Sequence, residues 1–329
     1  MCTAVTLHTK DHYFGRNLDY ETTFGEQVVL MPRNYPLRYK CHADQNTKAK
    51  HPAMLGMAVV AEDYPLYFDA MNEKGLAMAG LHFVGNAHYE KPRSPQTGNA
   101  VSCPKPKAEI APYELIPWVL SQCETVEEAR TLLAGTRVVA IPFHRKFPLS
   151  PLHFMIADKK KSMVIEPMRE GLQIYDNPVG VLTNNPPFPF HLANLNNYMN
   201  LTAKPPINRF SPEVPLQAYS RGMGAIGLPG DMSSASRFVR AAFVRANSVC
   251  GESEQESVAQ FFHILGSVEQ VRGSVHLENG AYEITTYSSC CNLDKGIYYY
   301  RSYEDMALRK ADMKRMDLDG EMLIECALV

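Results

Sequence analysis

The sequence predicts an α+β domain built in layers, and its ordering of elements carries that expectation. Strand-like runs fill the first third of the 329 residues and a helical block follows. Strands then resume before a second pair of helices and a closing set of strands. Strands and helices grouped in this way bury their apolar faces as stacked layers. No internal repeat and no clear linker interrupts the chain, so residues 1–329 read as a single domain.

The first elements are Thr3–His8 and Tyr13–Asn17, two runs joined by Thr9-Lys10-Asp11-His12, which reads as a hairpin turn. Gln27–Met31 is an apolar strand closed by Pro32, and Met54–Val60 and Tyr67–Met71 follow. Asn72-Glu73-Lys74-Gly75 has the composition of a turn, after which Leu76–Phe83 returns as a strand rich in small residues. Residues 84–110 are polar, with several Pro, Gly and Asn, and read as a long surface loop.

Tyr113–Cys123 is an apolar helical segment with the only tryptophan, Trp118, and a Pro117 at which it starts or kinks. Thr125-Val126-Glu127-Glu128 is a capping box and Gly135 a C-cap, giving a helix over Thr125–Ala134. Strands are expected at Val138–Ile141, Leu152–Ala157, Met163–Glu166, Leu172–Tyr175 and Val179–Thr183, and residues 184–217 are Pro- and Asn-rich. Gly227-Leu228-Pro229-Gly230-Asp231 bends the chain into a helix capped by Ser233 or Ser234 and running to about Asn247. A second amphipathic helix, Glu254–Leu265, ends at Gly266. Tyr282–Ser288 and Ile297–Tyr303, around an Asp294-Lys295-Gly296 turn, complete the strands.

Composition excludes several classes. A net charge of −2 gives no nucleic-acid footprint, and the basic run Lys159-Lys160-Lys161 reads as a solvated hairpin turn. No stretch of about 18 apolar residues is present, so no membrane span is expected. The start has no basic n-region and no apolar h-region, so no signal peptide is expected. The cysteines, Cys2, Cys41, Cys103, Cys123, Cys250, Cys290, Cys291 and Cys326, contain no C-x-x-C pair and read as reduced thiols of a cytoplasm. The 11 histidines show no H-E-x-x-H spacing, and Asp317-Leu318-Asp319-Gly320 lacks the Glu that a calcium loop needs, so neither metal nor cofactor is expected.

Chemistry concentrates at the start. A penultimate residue as small as Cys2 lets the initiator Met1 be removed, which leaves a thiol and a free α-amine on one residue. The α-amine has a reference pKa of about 7.7–8 against about 8.5 for the thiol, so one residue supplies both nucleophile and base. Arg16 and Asp19 lie at the far end of the second hairpin strand, which returns beside Cys2. An arginine there favours the thiolate, and a carboxylate orders the amine.

Met1-Cys2-Thr3-Ala4 followed by Phe14-Gly15-Arg16-Asn17-Leu18-Asp19 resembles the start of the choloylglycine hydrolases, the bile salt hydrolases and related penicillin V acylases. Four further blocks resemble the family in order: Met71-Asn72-Glu73-Lys74-Gly75-Leu76, Leu182-Thr183-Asn184-Asn185-Pro186, Ile226-Gly227-Leu228-Pro229-Gly230-Asp231 and Ser236-Arg237-Phe238-Val239-Arg240. The resemblance implies an N-terminal nucleophile hydrolase with a four-layer αββα sandwich. It also implies hydrolysis of glycine- and taurine-conjugated bile salts, with penicillin V hydrolysis or acyl transfer to an amine through the same thioester as alternatives. By similarity Cys2 is the nucleophile, Arg16 and Asp19 the polar pair beside it, Asn184 an oxyanion-hole amide and Arg237 the organiser of the charged network. The family places an Asn or a Tyr where this chain has His82, and uses that residue's backbone N–H in the oxyanion hole.

The bile-acid body asks for an apolar pocket, for which Leu18, Tyr64, Leu66, Phe68, Phe83, Ile141 and Phe143 are the candidates. Tyr67-Phe68-Asp69-Ala70 and Gly85-Asn86-Ala87 look more like bile salt hydrolases than penicillin acylases. Ser220-Arg221-Gly222 resembles a family loop variant associated with taurine conjugates, and an arginine fork suits a carboxylate or a sulfonate. A homo-oligomer, a tetramer, is implied by the resemblance alone.

Overall fold

The computed structural model describes residues 1–40, 50–93, 107–145 and 147–326. Cys41, Cys103 and part of the expected loop over 84–110 lie outside the described residues. In chain order the elements are β1 (Cys2–His8), β2 (His12–Tyr20), β3 (Gln27–Met31), β4 (Met54–Ala61), β5 (Tyr64–Asn72), β6 (Ala77–His82), β7 (Ala108–Ile110), α1 (Leu115–Leu120), α2 (Val126–Ala134) and β8 (Thr136–Val138). They continue with β9 (Leu152–Ala157), β10 (Ser162–Met168), β11 (Gly171–Asp176), β12 (Val181–Leu182), α3 (Phe188–Asn194), α4 (Ser234–Asn247), α5 (Glu254–Gly266), β13 (Ile284–Asn292), β14 (Ile297–Ser302), β15 (Arg309–Asp312) and β16 (Ile324–Cys326).

Two antiparallel sheets face each other. One runs β12-β1-β2-β13-β14-β15 and the other β11-β10-β9-β6-β5-β4-β3-β16. Helices α4 and α5 cover the outer face of the six-stranded sheet, α1 and α2 cover that of the eight-stranded sheet, and β1 and β2 stand against β6 between them. The order is αββα, as the resemblance implied. The period of two along each strand explains the double burial. In β3, Val28 and Leu30 enter the core between the sheets, while Val29 and Met31 enter the core beneath α1. Gly15 lets β13 close on β2, since a Cβ there would lie 2.0 Å from the Ser289 carbonyl oxygen. No described helix is long and apolar enough to cross a membrane.

Several elements depart from their sequence expectation. Strand β5 begins at Tyr64, three residues early, after a turn in which Glu62 and Asp63 take positive φ of 51° and 57°. Pro65 is tolerated because β6 pairs only with Asp69–Met71, leaving one side of β5 free there. The Tyr113–Cys123 segment splits into a 3-10 turn and α1, with Pro117 in the first turn of α1, where its missing N–H costs nothing. Helix α3 interrupts the Pro- and Asn-rich stretch, and β7 closes the expected loop by parallel pairing with β8. The short edge strands β15 and β16 carry too few residues to show a pattern.

Candidate active site

The β1–β2 register sorts the candidate residues onto two faces. Cys2 pairs with Leu18 and Ala4 with Arg16, so the Cys2 and Arg16 side chains share the face turned to the other sheet. Arg16 Nη2 donates to Cys2 Sγ at 2.5 Å, and Nη1 donates to the carbonyls of Phe68 at 3.1 Å and Gly80 at 2.5 Å. Arg16 is fully buried. Burial opposes its charge, but Cys2, Tyr287, Asp69 and Asp19 outweigh that, so its pKa moves up. Asp69, also fully buried, accepts from Tyr287 at 2.5 Å, Tyr298 at 2.6 Å and Ser289 at 3.2 Å. Burial pushes the Asp69 carboxyl up, against the pull of Arg16 and these hydroxyls.

Asp19 falls on the opposite face, with Thr3. Its N–H donates to the Met1 carbonyl at 2.9 Å, and Thr285 Oγ1 donates to its Oδ1 at 2.6 Å. Arg237, on the first turn of α4, docks on that face. Nη1 donates to the Cys2 carbonyl at 2.6 Å and to Thr3 Oγ1 at 2.7 Å, and lies 3.8 Å from Asp19 Oδ2. Arg237 Nη2 donates to Asn184 Oδ1 at 2.7 Å, and burial lowers the guanidinium pKa against the opposing Asp19 and Cys2.

Asn184 follows β12, which pairs with β1 through Ala4 and Val5. Its Oδ1 accepts from Cys2 N at 2.8 Å and its Nδ2 donates to the His82 carbonyl at 2.8 Å, so one amide ties the nucleophile's main chain to the end of β6. Met1 is present, which makes Cys2 N a peptide nitrogen. The Met1 ammonium pairs with Glu283 and donates to the Asp19 carbonyl at 2.7 Å. Burial lowers its pKa. The buried Asp19 Oδ2 receives no hydrogen bond.

A cavity of about 290 Å³ opens on Cys2 and Arg16. Of the expected wall residues, Leu18, Leu66, Phe68 and Phe143 line it. Tyr64 does not, but packs behind with its ring 5.8 Å from that of Phe143. Phe83 is buried against His153, with ring centroids 4.3 Å apart, and Ile141 is half-buried outside the lining. Tyr20, Phe24, Tyr113, Phe147 and Leu149 also belong to the wall. They come from the end of β2, the 3-10 turn before α1 and two irregular stretches, whose return to the site left no periodic signal. Arg221 is exposed in the irregular stretch before α4 and is not part of the lining. His82 lines the cavity with its ring edge-on to Tyr20 at 5.4 Å. Its pKa is pushed down to about 4 by burial, then by the N-terminal ammonium, Arg16 and His153.

A thiol under a guanidinium, at the head of a strand whose main chain is held by Arg237 and Asn184, faces an apolar cavity. This arrangement suits nucleophilic attack on an amide carrying an apolar acyl group. Residues 2–325 match the family model described as linear amide C–N hydrolases, choloylglycine hydrolase family. A bile salt hydrolase/transferase of Lactiplantibacillus plantarum is 49% identical over 100% of this chain and 97% of that protein. Its counterpart from Clostridium perfringens is 39% identical over 97% and 94%. The crystal structure of an arginine-to-leucine variant of conjugated bile acid hydrolase from Clostridium perfringens superposes with a TM-score of 0.87, at 37% identity, over 100% and 97% of the two chains. A penicillin V acylase from Agrobacterium tumefaciens gives 0.72 at 20% identity over 100% and 92%, a likeness of fold.

Proposed function

The chain belongs to the choloylglycine hydrolase family of linear amide C–N hydrolases, and from that premise we propose that it hydrolyses conjugated bile salts with Cys2 as nucleophile. The observation that carries the assignment of the nucleophile is the 2.5 Å contact of Arg16 Nη2 with Cys2 Sγ at the floor of an apolar cavity.

Removal of Met1 turns Cys2 N into an α-amine. Asn184 Oδ1 already sits 2.8 Å from that nitrogen, and the buried Asp19 Oδ2 has an unused acceptor position. The neutral amine takes the thiol proton, Arg16 stabilises the thiolate, and sulfur adds to the amide carbon. Asn184 Nδ2, which carries a second N–H beyond the one given to His82, and the His82 backbone N–H hold the oxyanion. A single well-placed donor contributes about 3–4 kcal/mol. Collapse sends the proton from the ammonium to the departing glycine or taurine nitrogen. The same amine then deprotonates water, which opens the thioester and returns the thiol.

An amine in place of that water gives acyl transfer, a reading favoured by relatives described as hydrolase/transferase. Penicillin V hydrolysis has the shared fold in its support. The reading extends to a cytoplasmic homotetramer. Described cysteines left as free thiols support a reducing compartment. Exposed Met199, Ile207, Phe210, Tyr219 and Ile226 on one irregular arm support assembly.

The test is a ninhydrin assay of taurine and glycine released from conjugated bile salts by purified protein whose intact mass shows loss of Met1. Penicillin V runs in parallel and a Cys2→Ser variant serves as control. Release by the processed chain and none by the variant is expected. Processed, reduced protein that releases neither amino acid overturns the assignment, and light scattering that finds a monomer overturns the tetramer.

A further inference from the structure

His153 and Glu166 form a buried pair that the proposed reaction does not use. Neither side chain has any exposure, and His153 Nδ1 lies 3.0 Å from Glu166 Oε1. Two titratable groups in a dry interior are costly where apolar side chains would fill the same space. Each of them holds a stretch of main chain. His153 Nε2 donates to the Thr183 carbonyl at 3.0 Å. A carbonyl only accepts, so this bond fixes a hydrogen on Nε2 and leaves Nδ1 to Glu166. Glu166 in turn accepts from Phe188 N–H, at 3.0 Å on Oε1 and 3.2 Å on Oε2.

Thr183 and Phe188 flank Asn184, so the pair grips the chain on both sides of it. Helix α3 begins at Phe188 and carries His191, whose Nε2 donates to the Asn184 carbonyl at 3.0 Å. Strand β9 sets His153 opposite Leu81, the residue before His82 on β6, and the His153 ring stacks on Phe83 with centroids 4.3 Å apart. The pair thus anchors the segment of Asn184 and stands next to that of His82, the two residues that supply the oxyanion donors. Neither His153 nor Glu166 lines the catalytic cavity.

We propose that His153 and Glu166 are positioning residues for the Asn184 amide. The role of that amide as a donor rests on the function proposed above, whereas the anchoring of its segment rests on these bonds alone. Asn184 Oδ1 meets Cys2 N and Nδ2 meets the His82 carbonyl, each at 2.8 Å, so slack in the segment moves the donor relative to the sulfur. A misplacement of about 1 Å costs on the order of 100-fold in rate.

Steady-state kinetics on conjugated bile salts and a crystal structure test this. His153→Phe keeps the stack on Phe83 and removes both hydrogen bonds. Combining it with Glu166→Gln replaces the buried acid that has lost its histidine, while the amide oxygen still accepts from Phe188 N–H, and so guards against a folding defect. Both chains are expected to lose about tenfold or more in kcat with KM within about twofold. His153→Gln, whose amide N–H can reach the Thr183 carbonyl, is expected to recover most of that loss. In an Asn184→Ala background His153→Phe is expected to cost less than about twofold, because the group it positions is gone. A tenfold loss repeated in that background, a His153→Gln as slow as His153→Phe, a rise in KM alone, or an unchanged kcat in the double variant overturns the proposal. So does a structure of the double variant in which Asn184 keeps both 2.8 Å contacts. That readout needs no turnover, so a chain inactive on conjugates removes the proposed function and still leaves the anchoring decided.

Discussion

Arg16 meets Cys2 across a hairpin in which it is paired not with Cys2 but with Ala4, so its guanidinium reaches diagonally back to the sulfur at 2.5 Å. The other guanidinium nitrogen is fixed on the Phe68 and Gly80 carbonyls of the facing sheet. The cation is therefore held by both sheets before any substrate arrives. Arg16→Lys keeps the charge and loses the fork, and Arg16→Leu loses both. We expect kcat/KM to fall about tenfold in the first and about 100-fold or more in the second, with the alkaline shift of the pH–rate profile that a less stabilised thiolate requires. An Arg16→Leu profile that coincides with that of the parent contradicts the role.

Asp69 supplies countercharge to Arg16 from behind. Three hydroxyls, from Tyr287, Tyr298 and Ser289, converge on its carboxylate, and removing the charge strips Arg16 of a partner where water does not reach. Asp69→Asn preserves shape and is expected to destabilise the chain by about 2 kcal/mol in chemical denaturation. It is also expected to lower kcat with little change in KM, since Asp69 is absent from the cavity lining. A rise in KM alone contradicts a positioning role.

The hairpin that joins Cys2 to Arg16 was legible because alternation and a turn are local signals. Asn184 and Arg237 were legible only through their motifs, since 182 residues separate Cys2 from Asn184 and 235 separate it from Arg237. Asp69 and Thr285 act through partners more than 200 residues away, and nothing in their neighbourhood announces it. Asp19 was legible at the end of the same hairpin, and its pairing opposite Met1 puts its side chain on the face away from the thiol, beside Arg237. The same limit explains the wall. Phe24, Phe147 and Leu149 lie in irregular chain, where no periodic pattern marks a side chain as facing the site.

The cavity wall should control binding rather than chemistry. Phe143 lines the cavity, with its ring 5.2 Å from Tyr113 and 5.8 Å from Tyr64. Truncation removes apolar contact worth on the order of 1.5 kcal/mol, about tenfold in affinity. Phe143→Ala is therefore expected to raise KM for conjugated bile salts about tenfold while kcat stays within about twofold. A fall in kcat at constant KM places Phe143 in the chemistry instead.

His82 and His191 predict how the fold responds to acid. Burial pushes both down to about 4. Around His82 the N-terminal ammonium, Arg16 and His153 act in the same direction. Around His191, His153 and Arg237 do so against the bonds to the Asn184 and Pro186 carbonyls. An unfolded histidine titrates near 6.5, so between that value and about 4 the unfolded chain binds protons that the folded chain refuses. Stability is complete above pH 6.5 and is lost as pH falls towards 4, by on the order of 3 kcal/mol for each ring. His191→Gln should flatten the fall of Tm across that window. His82→Asn should flatten it too and leave the limbs of the pH–rate profile between pH 5 and 8 in place, because the ring it replaces is neutral throughout. A kinetic limb near pH 6 that disappears in His82→Asn would make His82 an acid–base participant, and a Tm slope unchanged in both variants would locate the acid sensitivity elsewhere.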